Sequence, residues 1–178
     1  MENQPNSPDA MYNLGARLYA QDRDGEAEQW YRKAAAVGHT KAMVDLAGLL
    51  ARRGQDGEAE QWWRKAAAAG DTMGILNVGA LLGRQGKSGE AEQWFRKAAV
   101  AGDTDGMYSL ASMLYEQGNK GETEQWLLKA ATAGHVDAMY SLSALLGEQG
   151  RWREAKPWWR KWKAAGGPKR ARQTWIPR

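Results

Sequence analysis

The sequence has no cysteine, only two histidines, one phenylalanine and five prolines among 178 residues. Without cysteine there are no disulfides and no thiolate metal centres. His39 and His135 lie far apart in the chain, so neither zinc nor haem ligation is expected and no cofactor is implied. No segment approaches the roughly 18 consecutive apolar residues of a membrane span. The opening MENQPNSPDA lacks both the basic start and the apolar stretch of a secretory signal, so a cytoplasmic location is expected. Negative charge is scarce at one end: residues 151–178 hold ten Lys or Arg against Glu154 alone, a charge of +9 that leaves −5 on residues 1–150 of a chain with net charge +4. The chain is acidic with a basic end.

What the sequence does have is repetition. The string E-A-E-Q-W begins at Glu26, Glu58 and Glu90, with E-T-E-Q-W at Glu122 and E-A-K-P-W at Glu154, an interval of 32 each time. Five units follow (8–39, 40–71, 72–103, 104–135 and 136–167), read as one domain between a leader, 1–7, and a basic tail, 168–178. This leaves no room for a separate catalytic domain. Each unit divides into two amphipathic segments, A (Asp9 to Gln21 in the first unit) and B (Gly25 to Val37), both apolar at the i, i+3, i+4 spacing of helices. Asp24, Asp56 and Ser88 are expected to cap the B helices, and Gly38, Gly70, Gly102, Gly134 and Gly166 to end them.

The end units differ from the middle, as a stack of mutually covering helix pairs requires. Arg17 stands where Leu49, Leu81, Met113 and Leu145 follow, and Trp162 stands where Ala34, Ala66, Ala98 and Ala130 precede it. Pro157 replaces a glutamine near the start of the last B segment and predicts a kink or a late start there. Trp30, Trp62, Trp94, Trp126 and Trp158 recur at the repeat interval and read as core, and the B-segment glutamates read as a solvated face.

The pattern A-M-Y-N-L-G in segment A followed by A-E-Q-W-Y-R-K-A-A in segment B resembles the Sel1-like repeat, a relative of the tetratricopeptide repeat, over all but the two ends. The resemblance implies an all-α, right-handed α-solenoid of five helix-turn-helix repeats, ten antiparallel helices with the A helices lining a concave groove. It also implies a non-enzymatic scaffold or adaptor role.

On the A helices, the face opposite the core carries one column reading Tyr12, Val44, Leu76, Tyr108, Tyr140 and another reading Asn13, Asp45, Asn77, Ser109, Ser141. Rings beside short hydrogen-bonding groups suit an extended peptide, with apolar pockets for side chains and amides or hydroxyls for its backbone. In related repeats, asparagines in this column hold peptide backbone. The alternative is that the tyrosines fill contacts between adjacent A helices. Arg52 and Arg84, in the column of Ala20, Glu116 and Glu148, favour a ligand with an acidic segment.

Trp152, Arg160, Lys163, Arg170, Arg172 and Trp175 crowd the basic end, a mixture suited to stacking bases and neutralising phosphates or to an anionic surface, and equally to a capping helix with a solvated tail. Self-association through this end, and delivery of a peptide substrate to an enzyme, are further readings. Gly86, Lys87 and Ser88 imitate the end of a phosphate-binding loop, but Leu81 stands where that motif needs glycine. His39 and His135 follow helix-ending glycines and read as turn residues, and no nucleophile is paired with a base, so no catalytic residues are assigned.

Overall fold

A computed structural model describes residues 7–167. They form ten helices: α1 (Pro8–Tyr19), α2 (Asp24–Ala36), α3 (Thr40–Arg52), α4 (Asp56–Ala68), α5 (Thr72–Arg84), α6 (Ser88–Val100), α7 (Thr104–Glu116), α8 (Lys120–Thr132), α9 (Val136–Glu148) and α10 (Trp152–Ala164). Odd-numbered helices are the A segments and even-numbered ones the B segments. Among the described residues there is no strand. The chain divides into two compact units, Met1–Trp94 and Phe95–Arg178. Within them each A helix packs on its own B helix (α1 on α2, α3 on α4, α7 on α8, α9 on α10), and B helices pack on the next A helix (α2 on α3, α4 on α5, α8 on α9).

Small residues bring the helices together. Ala27, Ala34, Ala59, Ala66, Ala98 and Ala130 are wholly buried, and leucines such as Leu46, Leu50, Leu82, Leu110 and Leu142 fill the space they leave. The position of Arg17 follows the end-unit logic: it is exposed, whereas Leu49 and Leu81 are buried at the same place in the repeat. At the other end Trp162, where other units carry alanine, is buried against Trp159 and Tyr140 at ring distances of 4.7 and 5.0 Å.

The caps are where sequence expectation and structure part. Asp24 and Asp56 lie inside their helices, and the residues before α2, α4 and α10 (Arg23, Gln55 and Arg151) make no side-chain cap. Among the B helices, Asn119 accepts from Glu122 N at 3.3 Å. The A helices are capped more regularly. Ser7 Oγ accepts from Ala10 N, His39 Nδ1 from Ala42 N, Asp71 Oδ1 from Gly74 N, Asp103 Oδ1 from Gly106 N and His135 Nδ1 from Ala138 N. The two histidines are thus cap residues that supply a ring nitrogen to an orphan N–H of the first turn.

Two cap types go with two neighbours. The imidazole caps reach 3.1 Å to an alanine, the carboxylate caps 2.9 and 2.8 Å to a glycine. A Cβ on Gly74 would stand 2.8 Å from Ala67 N and 2.9 Å from Trp63 O, and one on Gly106 would stand 2.5 Å from Ala98 Cβ. Gly74 and Gly106 therefore mark helix approaches too close for a methyl group.

Other expectations are corrected by the packing. α10 starts in register at Trp152 and continues through Pro157 for its full 13 residues, so the late start does not occur. Arg153 and Pro157 are both exposed, which lets water serve the carbonyl that the missing N–H leaves unpaired. The tryptophans of the E-Q-W strings are half-buried, apart from the buried Trp126. It is the next residue, Tyr31, Trp63, Phe95 or Leu127, that enters the core. Lysines lie over the rings of Trp30, Trp62 and Trp126 at 4.0–4.1 Å, an arrangement that shields one ring face from water while the ammonium stays wet. The B-helix glutamates are not merely solvated: Arg32 bridges Glu28 and Glu58, and Arg96 pairs with Glu122 at 2.6 Å, each linking one B helix to the next. These bonds hold the Glu58 and Glu122 carboxyls below the usual range.

In the turn from α1 to α2, Asp22 takes a φ of 58°, where the equivalent turns use glycines such as Gly54 at 76°. The first unit closes its turn with a residue that pays a steric penalty in that conformation.

Replacing a helical glycine by alanine ordinarily stabilises. Gly74→Ala should instead destabilise by about 1–3 kcal/mol through overpacking, and adding Asp71→His, which restores the longer cap, should recover part of the loss. Thermal melts of the single and double variants check this.

Candidate functional site

Each unit carries a cleft built on its A helices. In the first, a cavity of about 360 Å³ is lined by Tyr19, Tyr31, Val44, Asp45, Gly48, Leu49, Arg52, Trp63, Met73 and Asn77. Tyr31, Leu49 and Trp63 are buried and form its floor. Successive A helices supply the rest, because residues four and eight positions apart, such as Val44, Gly48 and Arg52, stack along one helix face. Gly48 contributes open space, with nothing within 4 Å of where its Cβ would be.

The polar groups of this cleft are uneasily placed. Asp45 is half-buried and accepts from the Tyr12 hydroxyl. Burial pushes its carboxyl above the usual range; the Tyr12 bond opposes this, the Asp71 charge adds to it, and His39 and Lys41 also oppose it. Burial, and then Asp45, raise the Tyr12 hydroxyl in turn. Arg52 donates to Asp24 at 3.2 Å and lies 4.9 Å over the Tyr19 ring. Asn77 has no side-chain partner among the described residues. The indole N–H of Trp63 is buried without an acceptor, a state that costs free energy in a folded protein.

In the second unit a cavity of about 290 Å³ is lined by Ala111, Ser112, Tyr115, Glu116, Thr123, Leu127, Tyr140, Ser141, Ala144, Leu145 and Glu148. Its floor is apolar and its rim acidic. Tyr115 donates to Glu148 at 3.2 Å and Lys120 lies 3.9 Å from the same carboxylate, while Ser112 donates to the Tyr108 carbonyl at 3.0 Å.

Of the residues singled out from sequence, Asp45, Arg52 and Asn77 meet in the first cleft and Tyr140 and Ser141 in the second. Val44, of the tyrosine column, also lines the first cleft and Glu116 and Glu148, of the Arg52 column, the second, whereas Tyr12, Asn13, Leu76, Arg84, Tyr108 and Ser109 line neither. Tyr12 stacks on His39 at 4.6 Å and Tyr108 on His135 at 4.7 Å, so these two rings pack on the cap of the next A helix. Leu76 is buried in the core. Asn13 and Arg84 are exposed, and Ser109 is half-buried beside Tyr108. At the basic end Trp152 is exposed, with its ring laid over Gly147, and Arg160 and Lys163 are exposed on α10. Arg170, Arg172 and Trp175 lie outside the described residues.

Tetratricopeptide repeat models match residues 9–42 and, with a second model, 41–65 and 136–161. No curated protein matches the chain. Among solved structures, c5321, a protective antigen present in uropathogenic Escherichia coli strains displaying an SLR fold, has a TM-score of 0.74 at 26% identity, over 90% of this chain and 39% of its own length. A Sel1 repeat protein from Oxalobacter formigenes has a TM-score of 0.70 at 28% identity, over 88% of this chain and 70% of that one. The chain thus carries tetratricopeptide-type repeats over these segments and is similar in fold to Sel1-repeat proteins. Its fold is an all-α helical repeat solenoid. Pseudomonas aeruginosa pilF, at 19% identity and a TM-score of 0.71 over 87% of this chain and 74% of its own, shares that fold. Repeat proteins of this kind are generally scaffolds that bind other proteins and are typically not catalytic. No helix among the described residues is long and apolar enough to cross a membrane.

Sequence reading of this Sel1-like protein missed three features. Tyr19 and Tyr115 occupy one repeat position whose other members are Ala51, Gly83 and Gly147, so no column announced them. The orphaned indole of Trp63 depends on packing alone. The third did leave a signal: Asp9, Tyr12 and His39 recur as Asp105, Tyr108 and His135, with His Nε2 at 3.1 Å from the aspartate in both.

Burial makes the folded protein hold the Asp45 proton more tightly than the unfolded chain does. The stability Asp45 contributes is therefore full below its unfolded pKa of about 3.9 and is lost as pH rises through its higher folded value. Asp45→Asn should raise the melting temperature at neutral pH, and the gain should vanish as the pH falls through that window. Paired melts of wild type and variant across pH check this.

Proposed function

We propose that the protein is a non-enzymatic scaffold that binds an extended segment of a partner protein on the A-helix faces of its units. The observation that carries this reading is the set of half-buried, under-satisfied polar groups placed over apolar floors at corresponding repeat positions, Asp45 and Asn77 above all. Such groups cost stability in the free protein, and a peptide returns the missing contacts: its amides can donate to Asp45 and pair with Asn77, while a side chain fills the space beside Gly48.

A second reading rests on α10. Arg153, Lys156, Arg160, Lys161 and Lys163 are all exposed there, against the single acid Glu154, which Arg151 already holds at 2.6 Å. This helix face suits a polyanion or an anionic surface. Affinity for heparin or duplex DNA would then fall steeply with salt, with a log–log slope of about −0.9 per phosphate neutralised on DNA, and a flat response to salt would end this reading.

The groove reading is tested with a partner taken from affinity purification and then purified. Asn77→Ala and Gly48→Trp should each weaken binding by roughly tenfold or more, about 1.4 kcal/mol, with unchanged helical content. Gln61→Ser, exposed on α4 and away from both clefts and from α10, should leave it unaltered. Titration calorimetry reads the difference, and equal affinity for all variants would remove the groove from the account.

A further inference from the structure

We infer that the cleft of the second unit takes a cationic, extended peptide segment that alternates basic and aliphatic side chains. The inference rests on the groove reading above and specifies its ligand. Glu116 and Glu148 hold the same repeat position on neighbouring A helices, α7 and α9, and both line this cleft. Glu116 has no partner among the described residues, and Lys120 reaches only Glu148, at 3.9 Å. Two carboxylates on one rim give it a negative potential that favours a cationic ligand. The Tyr115 ring beside them is exposed and offers a face on which a guanidinium can stack.

Below the rim the chemistry changes. Ala111, Leu127, Ala144 and Leu145 give an apolar floor, and the cavity of about 290 Å³ is of a size for side chains entering from the surface. Ser141 on the wall, without a partner among the described residues, is free to pair with peptide backbone. In an extended strand successive side chains point to opposite sides, so residues that enter the floor alternate with residues that do not. The latter leave the floor, and the long flexible arm of an arginine or lysine can turn back to the rim carboxylates. The first unit lacks this arrangement, since Arg52 holds the corresponding position there.

The test uses the full chain and a fluorescein-labelled peptide, GSRLRLRSG, followed by anisotropy. Two analogues, GSELELESG and GSRSRSRSG, separate charge from apolar burial. Binding of the first peptide, lost by roughly tenfold or more in Glu116→Gln/Glu148→Gln and in Ala144→Trp, and absent for both analogues, supports the inference. Equal binding to the double glutamine variant, or equal binding of the serine analogue, overturns it. If the acidic analogue binds and Ala144→Trp abolishes that binding, the cationic ligand is wrong while the groove reading stands. If no peptide binds in an Ala144-dependent way, either to the unaltered chain or after Arg170, Arg172 and Trp175 are replaced by serine, both fall for this unit. If binding appears only after Arg170, Arg172 and Trp175 are replaced by serine, the chain's own basic segment is the occupant and a partner is overturned. Circular dichroism confirms that each variant folds.

Discussion

The structure depends on how closely a B helix can approach the A helix that follows it. Ala34, Ala66, Ala98 and Ala130 are fully buried at this junction, and at Gly74 and Gly106 even a methyl group has no room. A helix pair cannot cover its own apolar face, so the contact with the next pair is what makes each repeat stable. Cap type and cap neighbour go together: carboxylate caps precede Gly74 and Gly106, and imidazole caps precede Ala42 and Ala138. A carboxylate cap sits closer to its N–H than an imidazole cap does, and the residue three positions later is small in proportion. The outer arginine–glutamate pairs between successive B helices lie over a spacing that the inner face has already fixed.

That tight inner face has a functional complement. Where two A helices diverge from the contact, the space between them opens into a cleft, and the residues there need not satisfy one another. Asp45 and Trp63 show the result: a carboxylate held in a poorly solvating place and an indole donor with no acceptor. A protein selected for stability alone would remove both. The two clefts share geometry and differ in charge, because the floor positions are constrained by packing and the rim positions are not.

Much of this fold can be read in the sequence. A 32-residue interval repeated in E-Q-W strings, glycines at helix ends and apolar stripes at helical spacing all report local structure, and local structure is what periodicity encodes. The burial ranking inside a stripe is less legible. Trp30 and Tyr31 are adjacent aromatics separated by about 100° on the helix, and either could have faced the core; the buried one is Tyr31, and the tryptophan lies half-covered beneath Lys33. Composition points to caps at Asp24 and Asp56, which lie inside their helices, while an imidazole serving as a cap acceptor falls outside that rule. Of the candidate site, Asp45, Arg52, Asn77, Tyr140 and Ser141 meet in clefts because their columns face away from the core. Tyr12 and Tyr108 belong to the same columns yet pack on histidines, a distinction made by residues 27 positions away.

The pairing of Tyr12 with His39 also defines what can be cut and joined. Both lie within residues 8–39, so the ring and the cap it leans on travel together when the chain is divided after His39. Excising 40–71 would set His39 directly before Thr72, another helix start, where the imidazole again meets an A helix beginning with threonine. Gly74, however, is matched to the shorter carboxylate, and the splice would join a long cap to a close-packed helix. A genetic exchange one full interval long is thus silent in register but not in spacing: the array can lose or gain repeats in frame, yet only some of its seams are interchangeable.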